Sequence, residues 1–592
     1  MESLVEERTK DLVTSQGKLE NLIQTGLELG RELNRMELLR KMLFGGRDLL
    51  HCDAGTLYLV TERKTLRFAM LTNDDDVLPS FEIPLYDETG APVERFISTW
   101  CALHNTPVII DDIYQETRFD VSGTKKFDAG SGYRTVSMLT VPLAPREGEV
   151  IGVLQFLNAL DPVTKQVTTF HPELVRFVTA MAAQAGVALD NHQLIESQKE
   201  LMDALIKLIA GAIDTKSPYT GGHCERVPEL SLMLAEEASR TAEGELADFR
   251  FETEEEWREF RIGAWLHDCG KVTTPEYVVD KATKLETIYN RIHEIRLRFE
   301  VLLRDAMLDR LTAIANGEAV DSATQRFEAR KLQLIDDFTF VARCNLGDEF
   351  TAPAQIERLQ RIAEERWQRH FDDRLGLSHA ELNRHTTAAA PLPVTEKLLA
   401  DKPEHIIPRT ETCVDDPKYG FQVNVPEHLY NYGELYNLSI GRGTLAEEER
   451  FKIVEHVIQT IVMLEQLPLP KNMQRIPEYA GAHHETLIGT GYPRKLNKDK
   501  LSIPSRIMVI ADIFEALTAS DRPYKLPKKL SEAVKILFFF KKDGHIDPAL
   551  FDLFLQSGVY RRYAEKYLRP EQIDDVDIKP YLSLVKQVPV NT

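Results

Sequence analysis

The 592-residue chain is 43% hydrophobic and sets 93 acidic against 72 basic residues, a formal charge of −21; this suits two or three domains with cores of their own. A field of that sign disfavours non-specific binding to nucleic acid or to an anionic membrane, and it obliges any anionic substrate to be met by metal ions or a local basic pocket. The six cysteines are scattered without a CxxC pair, and the sequence offers neither an apolar leader nor a membrane-length apolar run, so a reduced cytoplasmic protein is expected.

Residues 1–45 are charged and helical in pattern, with Leu12, Leu19, Leu27 and Leu33 on or near a heptad spacing. Two readings stay open: an amphipathic helix entering a domain, or a short parallel coiled coil that makes a homodimer. Residues 46–190 turn to α/β texture, with strands expected at 54–60, 65–71, 107–110, 137–142 and 150–157 and a helix over 172–190, an α+β sensory fold. Residues 191–213 continue as a connecting helix. Its stripe of Leu201, Leu205, Leu208, Ile209, Ala212 and Ile213 is assigned to the core of the next domain. That domain spans 214–592 and is all-α, with a charged, mostly helical accessory insertion at about 295–440.

The stretches Asp53-Ala54-Gly55-Thr56-Leu57-Tyr58, Arg118-Phe119-Asp120, Gly132-Tyr133-Arg134-Thr135 and Gly148-Glu149-Val150-Ile151-Gly152-Val153-Leu154-Gln155 resemble a GAF domain. The resemblance implies a sensory module for a small ligand, here unknown. Members that bind cyclic nucleotides carry an Asn-Lys followed by Phe; in this chain Asn158 precedes Ala159, and Phe170 leads to Pro172-Glu173-Leu174. The sequence departs from that pattern.

The second domain carries the chemistry. His223 sits in a glycine-containing turn that opens a helix, and His267-Asp268 follows the apolar segment 262–266. His456 lies on a helix beginning near Glu447, His483-His484 adjoin Glu485, and Asp512 lies inside the apolar segment 507–517. A lone histidine is ordinarily a solvated or packed side chain, but a carboxylate inside an apolar helix is costly without a partner. Imidazole and carboxylate together suit iron, manganese, cobalt, nickel or zinc better than calcium or magnesium. Five histidines and two aspartates exceed the ligand set of one catalytic ion. They suit two ions sharing a carboxylate, about 3.5–4 Å apart.

The order Thr220-Gly221-Gly222-His223 with Arg226-Val227, His267-Asp268-Cys269-Gly270-Lys271, Glu448-Glu449 to His456, and His483-His484-Glu485 through Gly491-Tyr492-Pro493 resembles the HD-GYP branch of the HD phosphohydrolases. So do Ala511-Asp512-Ile513-Phe514-Glu515-Ala516-Leu517 and Arg522-Pro523-Tyr524-Lys525. The resemblance implies a metal-dependent phosphodiesterase that opens cyclic di-GMP to linear pGpG, GMP or both. It further implies metal ligation by His223, His267, Asp268, His456, His483, His484 and Asp512, with Asp268 bridging two ions, iron or manganese foremost. Lys271 would contact a phosphate and assist the leaving oxygen; Arg522 and Lys525 would hold the substrate's phosphates. Gly489, Gly491 and Pro493 would shape the loop supporting His484. Tyr219 stands where some members carry a Glu for a third ion, so two ions are expected. His456 is preferred to His293 as the third histidine, and the neighbouring Cys224 and Cys269 are read as apolar filler. Hydrolysis of cyclic GMP-AMP and non-catalytic binding of cyclic di-GMP are the rival readings.

Overall fold

The computed structural model describes residues 34–72, 80–145, 149–216, 222–347, 351–410, 414–520 and 527–582. Two compact units meet in sequence between Met202 and Asp203. The expected coiled-coil positions Leu12, Leu19, Leu27 and Leu33 lie outside the described residues.

In the first unit, α1 (Arg35–Leu50) begins where the Asn34 side chain accepts the N–H groups of Met36 and Glu37, at 2.9 and 3.2 Å, satisfying donors that the helix itself cannot. Next come β1 (Cys52–Val60), β2 (Thr65–Leu71), β3 (Glu82–Pro84), α2 (Ile97–His104), β4 (Val108–Ile110), α3 (Ser122–Ser131), β5 (Met138–Leu143), β6 (Gly152–Leu160) and β7 (Val167–Thr168). The strands form one antiparallel sheet, in the order β3-β2-β1-β6-β5-β4 with β7 on β6. Register sets Leu57 opposite Leu154, which in turn faces Val141.

One sheet face packs on Leu38, Met42 and Leu43 of α1 and on Val178, Met181 and Ala185 of the long helix α4 (Pro172–Lys216). The other meets Ile97 and Cys101 of α2. Phe156 fits because α1 carries glycine against it: a Cβ at Gly46 would lie 2.4 Å from its ring. Asn158 uses its amide on the fold, accepting from Val136 N at 2.7 Å and donating to Arg134 O at 2.9 Å.

α4 corrects the expected stripe. Over residues 201–213 the stripe's Ile213 is buried as expected, but its companions there are Ile206 and Ala210, whereas Leu201, Leu205, Leu208 and Ile209 are 46–68% exposed. Apolar residues surround this helix, so a three-four spacing can be drawn on more than one face, and spacing alone does not select the face that packs.

In the second unit, α5 (His223–Arg240) and α6 (Glu254–Leu266) precede the accessory region. That region contains α7 (Ile292–Ala315), α8 (Val320–Leu346) and α9 (Pro353–Ala363), then β8 (Arg366–Arg369) paired with β9 (Val394–Lys397) and β10 (Ile406–Pro408) paired with β11 (His428–Asn431). Its helices are thus joined by two small antiparallel sheets. It buries a core of its own, including Ile295, Phe299, Leu334, Leu359 and Leu398. The chain returns through α10 (Glu447–Glu465), α11 (Ile476–Gly481), α12 (Ile503–Thr518), α13 (Leu530–Lys542), α14 (Pro548–Gln556) and α15 (Val559–Tyr567). Leu230 and Leu234 of α5, Phe260 of α6, Phe514 of α12, Leu537 of α13, Phe551 and Phe554 of α14 and Tyr563 of α15 share one core, each such burial contributing about 1.5–3 kcal/mol.

Candidate metal centre

Each chemistry-bearing side chain leaves a helix end or a helix face. Thr253 and Glu256 start α6 with a reciprocal cap, at 3.2 and 3.0 Å, and α6 ends by delivering His267 and Asp268. The buried Asp214 carboxylate, near the end of α4, accepts from Gly222 N at 3.0 Å and Cys224 N at 3.2 Å. This fixes the start of α5 and with it His223. Gly222 itself has φ +83°, which a side chain would resist.

Gly270 brings two parts of the site together. A Cβ there would lie 1.9 Å from His456 O, so only glycine lets the turn after Asp268 press on the backbone of α10. Gly270 N donates to Thr460 Oγ1 at 2.9 Å, and that hydroxyl donates to His267 O at 3.2 Å.

The Asp268 carboxylate stands at the centre, almost fully buried. Its Oδ2 is 3.2 Å from His223 Nε2, 3.3 Å from His267 Nε2 and 2.5 Å from Lys271 Nζ. Its Oδ1 is 3.2 Å from His456 Nε2 and 3.8 Å from His483 Nε2. Asp512 Oδ1 lies 3.3 Å from His223 Nε2. Donor atoms gather in two sets, His223–His267–Asp268 and His456–His483–His484, each within 4.8 Å of one another. All seven proposed ligands therefore neighbour one another in this pocket or contact a member of it. His293 does not: it is exposed on α7 beside Arg296 Nη1 at 2.7 Å.

The rings are aimed from behind. His267 Nδ1 faces Ala264 O at 2.8 Å, His483 Nδ1 faces Ala480 O at 2.7 Å, and His456 Nδ1 faces Ile453 O. A carbonyl only accepts, so Nδ1 carries the hydrogen and Nε2 turns its lone pair to the centre. The Nε2 atoms of His456 and His483 are buried and make no hydrogen bond with the described residues, which leaves them open to a cation. The residues therefore fit divalent cations.

Electrostatics agree. Burial, with His484 and His267 nearby, holds His483 well below the usual imidazole range. Burial foremost, with a contribution from His456, brings His484 to about 3. Both are neutral, as ligands must be. Burial opposes charge on His223, but Glu515, Asp268 and Asp512 outweigh it and raise its pKa well above the ordinary value. Burial likewise opposes ionisation of Asp268, and Lys271 and His267 more than reverse it. Cys224 and Cys269 are buried, and burial raises both thiols, Cys269 to about 11.

Two carboxylates matter that received no role from the sequence. Glu515 stands behind His223, and burial notwithstanding, His223 and Arg226 hold it near 2. Its signal was available: it lies one turn after Asp512 on the same apolar helix. Glu485, fully buried, accepts from Arg494 N at 2.7 Å and Leu496 N at 2.9 Å and so ties down the following loop. In that loop Gly491 is needed for close approach, since a Cβ would lie 2.5 Å from Glu485 Cα. The Tyr492 ring stacks on His484 at 4.8 Å. Gln422 N donates to Pro493 O at 2.7 Å, and Arg494 Nε to Tyr419 O at 2.8 Å, so the accessory region braces this loop. Tyr219, Arg522 and Lys525 lie outside the described residues.

Residues 34–189 match the GAF domain, and residues 393–550 match the HD domain. The chain carries both. The HD match contains His456, His483, His484 and Asp512, while His223 and His267–Asp268 precede it across the accessory region. Similar characterised proteins include the 3'3'-cGAMP-specific phosphodiesterase 1 of Vibrio cholerae, 36% identical over 150 residues, covering 24% of this chain and 33% of that protein. The 3'3'-cGAMP-specific phosphodiesterase 3 of the same organism is 40% identical over 111 residues, 18% of this chain and 23% of that one. A cyclic di-GMP phosphodiesterase of Pseudomonas aeruginosa is 38% identical over 79 residues, 13% of this chain and 18% of that one. The chain thus spans a third or less of the length of these relatives. Among the described residues no helix is long and apolar enough to cross a membrane.

Proposed function

We propose that this protein is an HD-GYP phosphodiesterase that hydrolyses a cyclic dinucleotide, cyclic di-GMP first, to the linear dinucleotide, GMP or both, using two divalent ions, iron or manganese. The observation that carries the reading is the division of Asp268, with Oδ2 toward His223 and His267 and Oδ1 toward His456 and His483. A carboxylate so placed can bridge two cations. Bound there, the cations would supply positive charge to phosphate oxygens and lower the pKa of water.

The chain's own residues have separate tasks. Lys271, whose charge Asp268 sustains against burial, offers a fixed ammonium to a phosphate and a proton donor to the leaving oxygen. Arg522 and Lys525 would add further phosphate contacts. Tyr492 keeps the His484 ring oriented by stacking on it. The test is turnover of cyclic di-GMP by protein loaded anaerobically with iron or manganese, with metal analysis of the same sample. Loss of both metal and turnover in the double variant His267→Ala, Asp268→Ala supports the site; a variant that keeps both overturns it.

Cyclic GMP-AMP is the second reading, favoured by the names of two of the relatives. Side-by-side product chromatography on both substrates separates the two. Cyclic di-GMP binding without turnover by the metal-loaded protein would favour the non-catalytic receptor.

The GAF domain is proposed to sense a small ligand and to regulate hydrolysis. A homodimer is also proposed. Supporting it, Val187, Leu194, Leu201 and Leu208 recur every seven residues on α4 and are all exposed, the spacing of a coiled-coil seam.

A further inference from the structure

The accessory region holds a cavity of about 720 Å³, between α7, β8, β9 and the segment around β11. Its volume falls in the range of small-molecule pockets. Three N–H donors of its lining residues are buried without an acceptor among the described residues: Arg291 Nη2, Arg384 Nε and Trp367 Nε1. Guanidinium and indole groups donate only, so these atoms call for acceptor oxygens, whether of a ligand or of water. Native proteins rarely leave buried donors orphaned, and three around one cavity mark a place for a ligand rich in acceptor oxygens.

Charge narrows the ligand class. Two lining carboxylates are already engaged: Glu434 takes both ends of Arg298 at 2.8 Å, and Glu396 is held by Arg369 and by Lys402 at 2.8 Å. Glu294 lies 3.7 Å from Arg298, and Glu404 is the remaining lining acid. Arg291 gives its other donors to carbonyls, Leu285 O at 3.2 Å and Tyr432 O at 2.5 Å, and makes no ion pair with a described carboxylate. Arg384 likewise makes no ion pair with a described carboxylate. Tyr277, Tyr432 and Trp367 add aromatic surface to the same lining.

We propose that this cavity is a second ligand site, separate from the metal centre, for a small organic phosphate of nucleoside-monophosphate size. The phosphate meets Arg291, Arg384 and the Trp367 N–H, and the ring system rests on the aromatic side. Within the lining, the Tyr277 hydroxyl lies 3.2 Å from that of Tyr432.

The experiment is a tryptophan-fluorescence titration of the full, metal-free chain with GMP, AMP, inorganic phosphate and guanosine. A saturable change with the nucleotides below about 1 mM is expected, with phosphate competing and guanosine silent. Trp367→Phe should remove the change. Arg384→Gln should weaken binding by at least about tenfold, the loss of one charge-assisted hydrogen bond, and Arg384→Lys should restore part of it. The proposal is overturned if no saturable change occurs, if guanosine binds as well as GMP, if Trp367→Phe keeps the full response, or if Arg384→Gln binds as tightly as the parent.

Discussion

Glu515 grips His223 and Arg226 together: Oε2 meets His223 Nδ1, while Oε1 accepts from Arg226 Nε at 2.8 Å. The carboxylate is wholly buried, and it fixes both the ring plane and the basicity of a proposed metal ligand. Glu515→Gln keeps the shape and removes the charge. Metal affinity should fall by about 10–100-fold, read by competition with a chelator. Unchanged metal affinity would show that Glu515 only fills space.

Gly270→Ala tests how closely the Asp268 turn is pressed onto α10. The added methyl would meet His456 O and Thr460 N, at 1.9 and 2.6 Å, so the turn must move. We expect a loss of at least about 1–3 kcal/mol of stability, measured by urea unfolding, together with loss of bound metal. A variant that unfolds like the parent and keeps its metal contradicts this packing.

The proposed homodimer is open to a charge test. Leu201→Glu with Leu208→Glu puts carboxylates on exposed heptad positions of α4, where the native side chains are 62% and 68% exposed. Light scattering should report a shift from dimer to monomer with little change in secondary structure. A dimer that survives both charges must form through another surface.

The pair Glu434–Arg298 predicts a pH dependence. Burial opposes ionisation of Glu434, but the Arg298 guanidinium reverses this and holds the carboxyl below its usual range. A depressed folded pKa means that the stabilisation is present above the unfolded value, about 4.3, and is lost as pH falls through the folded one. Glu434→Gln should cost about 3 kcal/mol at neutral pH, because Arg298 is left without its partner. The gap to the parent should narrow below about pH 4. A gap independent of pH would exclude the ion pair as its source.

The sequence pointed to the proposed ligands because their identities are unusual: a His-Asp pair, a His-His pair and a carboxylate in an apolar helix are conspicuous without coordinates. The strands β1, β2 and β5 were legible from branched and aromatic runs between turn residues. Thr460 was not, since it acts only through Gly270 and His267, which the fold brings from far along the chain; for Glu515 the helix position was visible but its partner His223 was not. Spacing favoured His456 over His293 across an insertion of unknown path, and the structure puts only His456 beside Asp268. The α4 stripe failed for a different reason: period reveals that a helix has faces, and only packing reveals which face is covered.

Three of the rings at the centre are steadied by main-chain carbonyls, those of Ala264, Ile453 and Ala480. Replacing those three side chains leaves the steadying atom in place, so mutation has no direct handle on them. His223 alone among these four leans on another side chain. Among these four rings, a change of basicity that comes by way of a side-chain partner is therefore channelled through position 515, the adjustable screw of an otherwise fixed mount.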